Sequence, residues 1–379
     1  MRIVIAPQSL KGSLTAAEAG RAIAQGTRAV YPDAEIAIVP IADGGEGTVQ
    51  ALVDATGGTL KRREVVGPLG EPVEAFYGIL GDSHTAVIEM AASSGLPLVP
   101  VEQRNPLVAT TYGVGELILA GLDDGCQHFI IGIGGSATND GGAGMAQALG
   151  AQLTGTDGEI ERGGAALATL THISTEAMDA RLHACTFEVA SDVTNPLCGP
   201  QGASAVYGPQ KGATPEMIEE LDAALAHYAQ ILEQDLHIAV KDIPGAGAAG
   251  GLGAGLISFL GAELRPGAQI VLEAVHLEEQ LHSADLVITA EGQLDEQTAY
   301  GKSVSAVAGM AKRYAIPVLA LAGSLGKGYQ AVYSLGVDAV MALPPAPLTL
   351  EHAMAHAAEL VSDASERALR IFRMGHSTK

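Results

Sequence analysis

Tryptophan is absent from this 379-residue chain, and aromatic side chains make up 4% of it. No aromatic box for stacking a flat ring is evident in such a sequence. Cysteine is nearly as scarce. Cys126, Cys185 and Cys198 form no CxxC pair and no zinc spacing, and their odd number argues against a disulfide framework. A reducing, cytoplasmic setting is the simplest reading. Basic residues number 21 against 43 acidic ones, a formal net charge of -22. That sign repels nucleic acid and anionic membranes, so neither is an expected partner. Long hydrophobic runs are missing too. The uncharged stretch 245–262 has glycine at seven of its eighteen positions and is followed by Glu263 and Arg265, so it reads as a flexible loop entering a buried helix, not a membrane span. The first apolar run, RIVIA, is too short for a secretory signal and continues as a core strand.

Glycine is the opposite case, with 48 residues concentrated in loops that follow apolar runs. The richest of these loops, GIGGSATNDGGAG at 132–144, follows the strand-like run HFII and leads into a short helix closed by Gly150. Glycine lets backbone N–H groups crowd around an anion, and the positive end of a helix adds its field. Gly134, Gly135, Ser136, Thr138 and Asn139 are therefore candidates for binding phosphate or carboxylate. A plain turn with Asn139 or Asp140 as helix cap is the alternative.

The strand, loop and helix pattern recurs along the chain. Strand 2–6 runs into QSLKGS, where Ser13 or Thr15 can cap a helix and Lys11 can neutralise a phosphate. Strand 35–41 ends in ADGGEGT, which places Asp43, Gly44, Gly45 and Glu46 in one turn. Ligands of α/β proteins collect at the C-terminal ends of strands, so Asp43 or Glu46 could hold Mg²⁺ or orient a hydroxyl; a turn with Glu46 on the helix dipole is the bland reading. Short runs at 60–66, 73–80 and 86–90 then suggest an antiparallel meander that opens a second domain. Asp192 follows strand 186–190, where a buried carboxylate is costly unless paired, hydrogen-bonded or metal-bound, and Asn195-Pro196 enforces a turn behind it. Lys211, in GPQKGA, is a phosphate lysine or a solvated turn lysine.

Residues 245–250 match GxGxxG literally, but Pro244 interrupts the strand-to-turn junction that a dinucleotide fingerprint needs, leaving Gly250 and Gly251 as anion-contact candidates. Strand 283–289 ends in EGQLDEQT, offering Glu291 and Asp295 as metal ligands, with Lys302 in the following GKS. A Walker motif would need glycine where Glu296 stands. Strand 317–322 and helices 330–335 and 350–371 complete a βα alternation like that of the first fifty residues. The length suits two domains. The expectation is an α/β fold with a doubly wound sheet built from residues 1–66 and 283–379, and an inserted α/β domain with a mixed sheet at 67–282.

The motifs APQSLKGS, ADGGEGT, GGSATNDGGAGM, SDVTNPLCGPQGA, GPQKGA, PGAGAAGGLGAGL and EGQLDEQTAYGK stand in an order that closely resembles the bacterial glycerate kinase family, from Met1 to about Met374. The resemblance implies ATP-dependent, Mg²⁺-requiring phosphorylation of D-glycerate in organic-acid breakdown. It implies 2-phosphoglycerate as product, with the 3-phosphate as the alternative. It further implies a flavodoxin-like domain and one likened to restriction endonucleases, with the substrates between them, and it is compatible with a homodimer.

Phosphoryl transfer needs cations and backbone donors around the phosphates, carboxylates for Mg²⁺, and a carboxylate near the acceptor hydroxyl. Asp192, Lys11 and Asp43 are the expected catalytic groups, and Asp192, Glu291 and Asp295 the expected metal ligands. Ser13, Gly44, Gly45, Glu46, Asn195, Lys211, Gly250, Gly251 and Lys302 join the central loop as expected substrate or phosphate contacts. Three departures stand out: Gln8 where the family often has Asp, Ala290 where it often has Gly, and no proline and glycine within GKSVSA. If Gln8 replaces a metal-linked carboxylate, metal affinity or substrate preference differs. Two other classes stay open on the residues alone. A nicotinamide-dependent oxidoreductase would rest on the weak glycine fingerprints, and a non-catalytic hydroxy-acid or nucleotide-binding protein would use the same anion sites without turnover.

Overall fold

The computed structural model describes residues 1–299 and 303–376, so Lys302 lies outside the described residues. The strands in chain order are β1 (Arg2–Pro7), β2 (Glu35–Ile38), β3 (Thr59–Val66), β4 (Pro72–Ile79), β5 (Thr85–Glu89), β6 (His128–Gly132) and β7 (Gln152–Gly155). They continue with β8 (Gly158–Glu159), β9 (Leu170–Ser174), β10 (Thr186–Ala190), β11 (Glu263–Arg265), β12 (Leu286–Leu294), β13 (Val318–Leu325) and β14 (Ala339–Ala342). The chain divides into two compact units, one of Met1–Asp43, Gln50–Gly57 and Ala268–Lys379, the other of Gly44–Val49 and Gly58–Gly267.

The first unit holds a five-stranded sheet in the order β14-β13-β12-β1-β2, parallel throughout. Counted within the sheet, this is the order 2-1-3-4-5 of flavodoxin-like doubly wound folds, whose direction of winding reverses between β1 and β12. Strands covered on both faces need near-continuous apolar sequence, and Ile3, Val4, Ile5 and Ala6 are all fully buried. Helix Ala16–Val30 packs with β1; it opens on Thr15, whose Oγ1 accepts from the Glu18 amide at 3.2 Å while Glu18 Oε2 accepts from the Thr15 amide at 2.9 Å. Ser13 does not share this cap, because its Oγ donates to the Leu10 carbonyl at 2.9 Å. Ile23, Val361 and Leu369 join Ile5, Ile288 and Leu321 in the core, and the expected helix 350–371 is divided into Leu350–Ala355 and Ala357–His376.

The second unit holds a six-stranded mixed sheet, β11-β10-β6-β5-β4-β3, with β4 and β3 antiparallel. Phe129 on β6 and Phe187 on β10 stack at 5.0 Å. Strand β3 pairs along its whole length with β4, from Thr59↔Ile79 to Val66↔Pro72. Along the chain the units meet at Asp43/Gly44, Val49/Gln50, Gly57/Gly58 and Gly267/Ala268. A small sheet, β8-β7-β9, completes this unit. Among the described residues, no helix is long and apolar enough to cross a membrane.

Candidate active site

Three strands of the second unit end abreast. Glu89 of β5 and Ala190 of β10 both stand in register with Gly132 of β6. Over this carboxyl edge lies the turn that starts at Gly44. Gly44 has φ +88°, and a Cβ there would come within 2.6 Å of the Ala190 Cβ. A Cβ on Gly132 would lie 2.5 Å from the Gly44 carbonyl oxygen, so glycine at both positions is a condition of the close approach. Thr48 closes the turn, its hydroxyl donating to the Gly45 carbonyl at 2.7 Å. Glu46, Gly134 and Gly135 are exposed, and the Gly45 Cα lies 3.7 Å from where a Cβ on Gly134 would be. Gly44, Gly45, Glu46, Gly134 and Gly135 are thus brought together.

Asp192 emerges two residues beyond Ala190, and it is exposed. The expectation of a buried strand-end carboxylate is corrected here. Ser191 still bonds to the sheet through its amide, to the Arg265 carbonyl at 3.0 Å, and the chain then turns outward. Asp192 Oδ1 accepts from the amide of Gly267 at 3.0 Å, which places the carboxylate on the first residue of helix Gly267–Ala274, where the helix dipole favours it.

The far half of the central loop faces inward. Thr138, Asn139 and Asp140 have no exposure, and Ser136 has almost none. Asp140 accepts from the Thr111 amide at 2.8 Å, the Thr111 hydroxyl at 2.9 Å and the Gly142 amide at 3.1 Å. Burial pushes its pKa up, and these bonds oppose the shift. Lys211, 1% exposed, donates from Nζ to the Thr138 carbonyl at 2.6 Å. Burial lowers its pKa to about 7 against the charge of Asp140. Asn139 Nδ2 donates to Ser204 Oγ at 2.9 Å. Gly250, at φ +70°, lies so close to the Thr138 carbonyl that any Cβ would collide with it, and a Cβ on Gly251 would be 2.9 Å from the Gly141 Cα.

Ser136, Thr138, Asn139, Lys211, Gly250 and Gly251, expected as anion contacts, are therefore placed in an interior hub under the exposed Gly134-Gly135. Their glycines serve backbone-to-backbone packing. Thr138 Oγ1, Asn139 Oδ1 and Tyr228 Oη are buried there without a hydrogen-bond partner among the described residues. Asn195 is committed to its own loop, its Nδ2 donating to the Gln201 carbonyl at 2.8 Å and its Oδ1 accepting from the Tyr207 hydroxyl at 2.7 Å.

In the first unit the loops after β1 and β12 flank the point where the sheet order reverses, the position at which doubly wound sheets bind ligands. The Gln8 amide donates to the Ala290 carbonyl at 2.9 Å. Gln8 Nε2 donates to Ser303 Oγ at 3.0 Å, and Ser303 Oγ donates to the Ala42 carbonyl at 2.7 Å. This relay ties the loops after β1 and β2 to the start of helix Ser303–Arg313. Lys11 is exposed and makes no ion pair among the described residues, and Asp43 is half-buried. Strand β12 runs on to Leu294 instead of ending at residue 289, so Glu291 stands inside a strand paired with β13. Asp295 follows, its Oδ2 accepting from Gln293 Nε2 at 2.9 Å and its Oδ1 from the Thr298 amide at 3.3 Å.

Among the described residues no three His, Cys, Asp or Glu side chains are gathered to hold a metal. The donors at Glu291 and Asp295 are all oxygens, a set suited to a hard cation that keeps water and takes phosphate oxygens. Glu89 is the residue that reading the sequence missed. It is buried at the end of β5, and its Oε1 accepts from the Val49 amide at 2.8 Å. The signal was a carboxylate closing the apolar run AVIE.

The model of the Glycerate kinase family matches residues 3–373 of this chain. A glycerate kinase of Bacillus subtilis (strain 168) is 55% identical over 360 residues, covering 95% of this chain and 94% of its own. A glycerate 2-kinase of Escherichia coli (strain K12) is 52% identical over 376 residues, covering 99% of each. A crystal structure described as glycerate kinase 2 from Salmonella typhimurium LT2 has a TM-score of 0.93 and 54% identity, covering 100% of this chain and 99% of that one.

Proposed function

The chain belongs to the glycerate kinase family and is an enzyme of that type; from this premise we propose that it transfers the γ-phosphoryl group of ATP to the 2-hydroxyl of D-glycerate, giving 2-phosphoglycerate in organic-acid breakdown. One observation carries the reading to residues. The half-buried Gly45 with the exposed Glu46, and the exposed Gly134-Gly135 pair, meet at one sheet edge, from which Asp192 also emerges.

On this reading the backbone N–H groups at Gly134 and Gly135 receive an anionic group, and Asp192 orients the acceptor hydroxyl and takes its proton. Lys11, as countercharge to phosphate, and Asp43 are the catalytic groups proposed within the first unit. Glu291 and Asp295 would hold Mg²⁺ there. The ion supplies charge neutralisation of the phosphates when bound. The 2-phosphate assignment is supported by the name of the Escherichia coli relative. The nicotinamide alternative loses its footing because Gly250, the last glycine of the literal GxGxxG, is packed against Thr138 inside the protein.

Purified protein given ATP, Mg²⁺ and D-glycerate is expected to release ADP. Enolase without phosphoglycerate mutase should then convert the product to phosphoenolpyruvate. Absence of ADP release above background would sink the proposal, and a strict need for the mutase would reassign the hydroxyl.

A further inference from the structure

We propose that Glu89 is a positioning residue for the substrate site. It holds the turn at 45–48 on the carboxyl edge of the six-stranded sheet, so that Gly45 and Glu46 stand beside Gly134. The inference rests on the reading that this turn forms part of the glycerate kinase site.

Glu89 is 5% exposed and makes no ion pair among the described residues. Its carboxylate is met by backbone amides instead. Oε1 accepts from Val49 at 2.8 Å, and the amides of Gly47 and Thr48, the latter bonded to the Gly45 carbonyl at 3.2 Å, lie near enough to favour the charged form of the same group. These N–H groups open helix Thr48–Thr56 and have no partner within it. Helices usually take such a cap from the residue just before them. Here it comes from another strand, forty residues along the chain, and requires a buried charge. Burial pushes the Glu89 pKa up, and the charge of Glu46 acts in the same direction. That cost is tolerated where a helix cap drawn from the loop itself would have been cheaper, which points to placement of the loop as the function. The turn is held at two places, by Gly44 against Gly132 and Ala190 and by Glu89 at residues 47–49. Gly45 and Glu46 lie between them.

The test uses the full chain with Glu89→Gln, which keeps size and one acceptor, and Glu89→Ala. Amide hydrogen exchange over residues 45–50 and steady-state kinetics with D-glycerate and ATP are read together with urea unfolding. In Glu89→Gln the amides of Gly47, Thr48 and Val49 should exchange about tenfold faster, the scale of a lost charge-assisted hydrogen bond. kcat/KM for D-glycerate should fall about ten- to a hundredfold, chiefly through KM, with the urea midpoint near that of the parent protein. Glu89→Ala should extend both effects. Unchanged exchange would overturn the proposal. Faster exchange with unaltered kcat and KM would also overturn it, leaving Glu89 as a helix cap alone. If the parent protein releases no ADP with D-glycerate, it is the kinase reading that fails, and the exchange result alone decides whether Glu89 anchors the turn.

Discussion

Lys211 donates to the carbonyl oxygen of Thr138 at 2.6 Å, and both residues are closed off from solvent. Burial holds the lysine near pKa 7, below its ordinary 10.5, with the charge of Asp140 opposing the shift. The other titratable group in this interior, Tyr228, is pushed upward by burial and by Asp140. A lysine with a lowered folded-state pKa contributes stability that is present above about 10.5 and lost as pH falls through about 7. Urea titrations at about pH 6.5, 8 and 9.5 should show the stability difference between the parent protein and Lys211→Met moving in favour of the parent by a few kcal/mol as pH rises. The slope, not the offset, is the predicted quantity, since losing the lysine also strands the Thr138 carbonyl. A flat difference across that window would mean that Lys211 keeps its proton inside the protein.

The same carbonyl is approached by Gly250 from the other side. Gly250 at φ +70° and Gly261 at φ +61° lie at either end of helix Ala248–Leu260, yet a Cβ would collide with Thr138 at the first and meet nothing within 4 Å at the second. Alanine at Gly261 should therefore cost about 1 kcal/mol of backbone strain. Alanine at Gly250 should cost about 3 kcal/mol or more, because overpacking against the backbone adds to the strain. Denaturant unfolding of the two variants is the measurement, and equal losses would show that the hub can yield.

Continuous apolar runs made much of the fold legible. The buried runs at Ile3–Ala6 and Phe129–Ile131 can be little other than strands of a covered parallel sheet. Short edge strands such as Glu263–Arg265 carry no comparable signal, and with that strand unseen the outward turn at Asp192 was hidden too. The burial of Lys211 was equally illegible, since a lysine between glycines reads as a surface turn until Thr138, 73 residues away, is brought to it. Glycine loops announce close backbone approach, but whether the approaching group is a phosphate or another stretch of chain is decided by tertiary packing. At Gly134-Gly135 the loop is open, and at Gly250-Gly251 it is filled.

Exposure changes what Asp192→Asn should do. Asparagine can still accept from the Gly267 amide, and as a helix cap it is nearly the equal of aspartate, so stability should stay within about 0.5 kcal/mol. The charge and the basic oxygen are lost. If Asp192 takes the proton of the acceptor hydroxyl, turnover should fall about a hundredfold or more. Thermal melting and ADP release measured side by side separate the roles. A variant that remains active but melts much lower would reduce Asp192 to a cap.

Glu291 and Asp295 share one stretch of the first unit, and no third carboxylate, histidine or cysteine among the described residues completes a shell with them. Mg²⁺ held by two carboxylates has to keep water and draw its remaining ligands from phosphate, so the free protein should bind the ion weakly and the nucleotide complex well. Mg²⁺ alone at about 1 mM should move the melting temperature by less than about 1 °C, whereas Mg²⁺ with ATP should raise it by several degrees, since ligands stabilise the folded state in proportion to occupancy. EDTA should abolish ADP release. Glu291→Gln and Asp295→Asn should each raise the Mg²⁺ concentration for half-maximal rate about tenfold, with part of the loss recovered by Mn²⁺, which lies above Mg²⁺ in affinity for mixed oxygen sites. A large thermal shift with Mg²⁺ alone would reveal a preformed cage that these carboxylates do not make. Undiminished turnover in EDTA would remove the metal from the reaction, and Glu291 and Asp295 would then be no more than strand and turn residues.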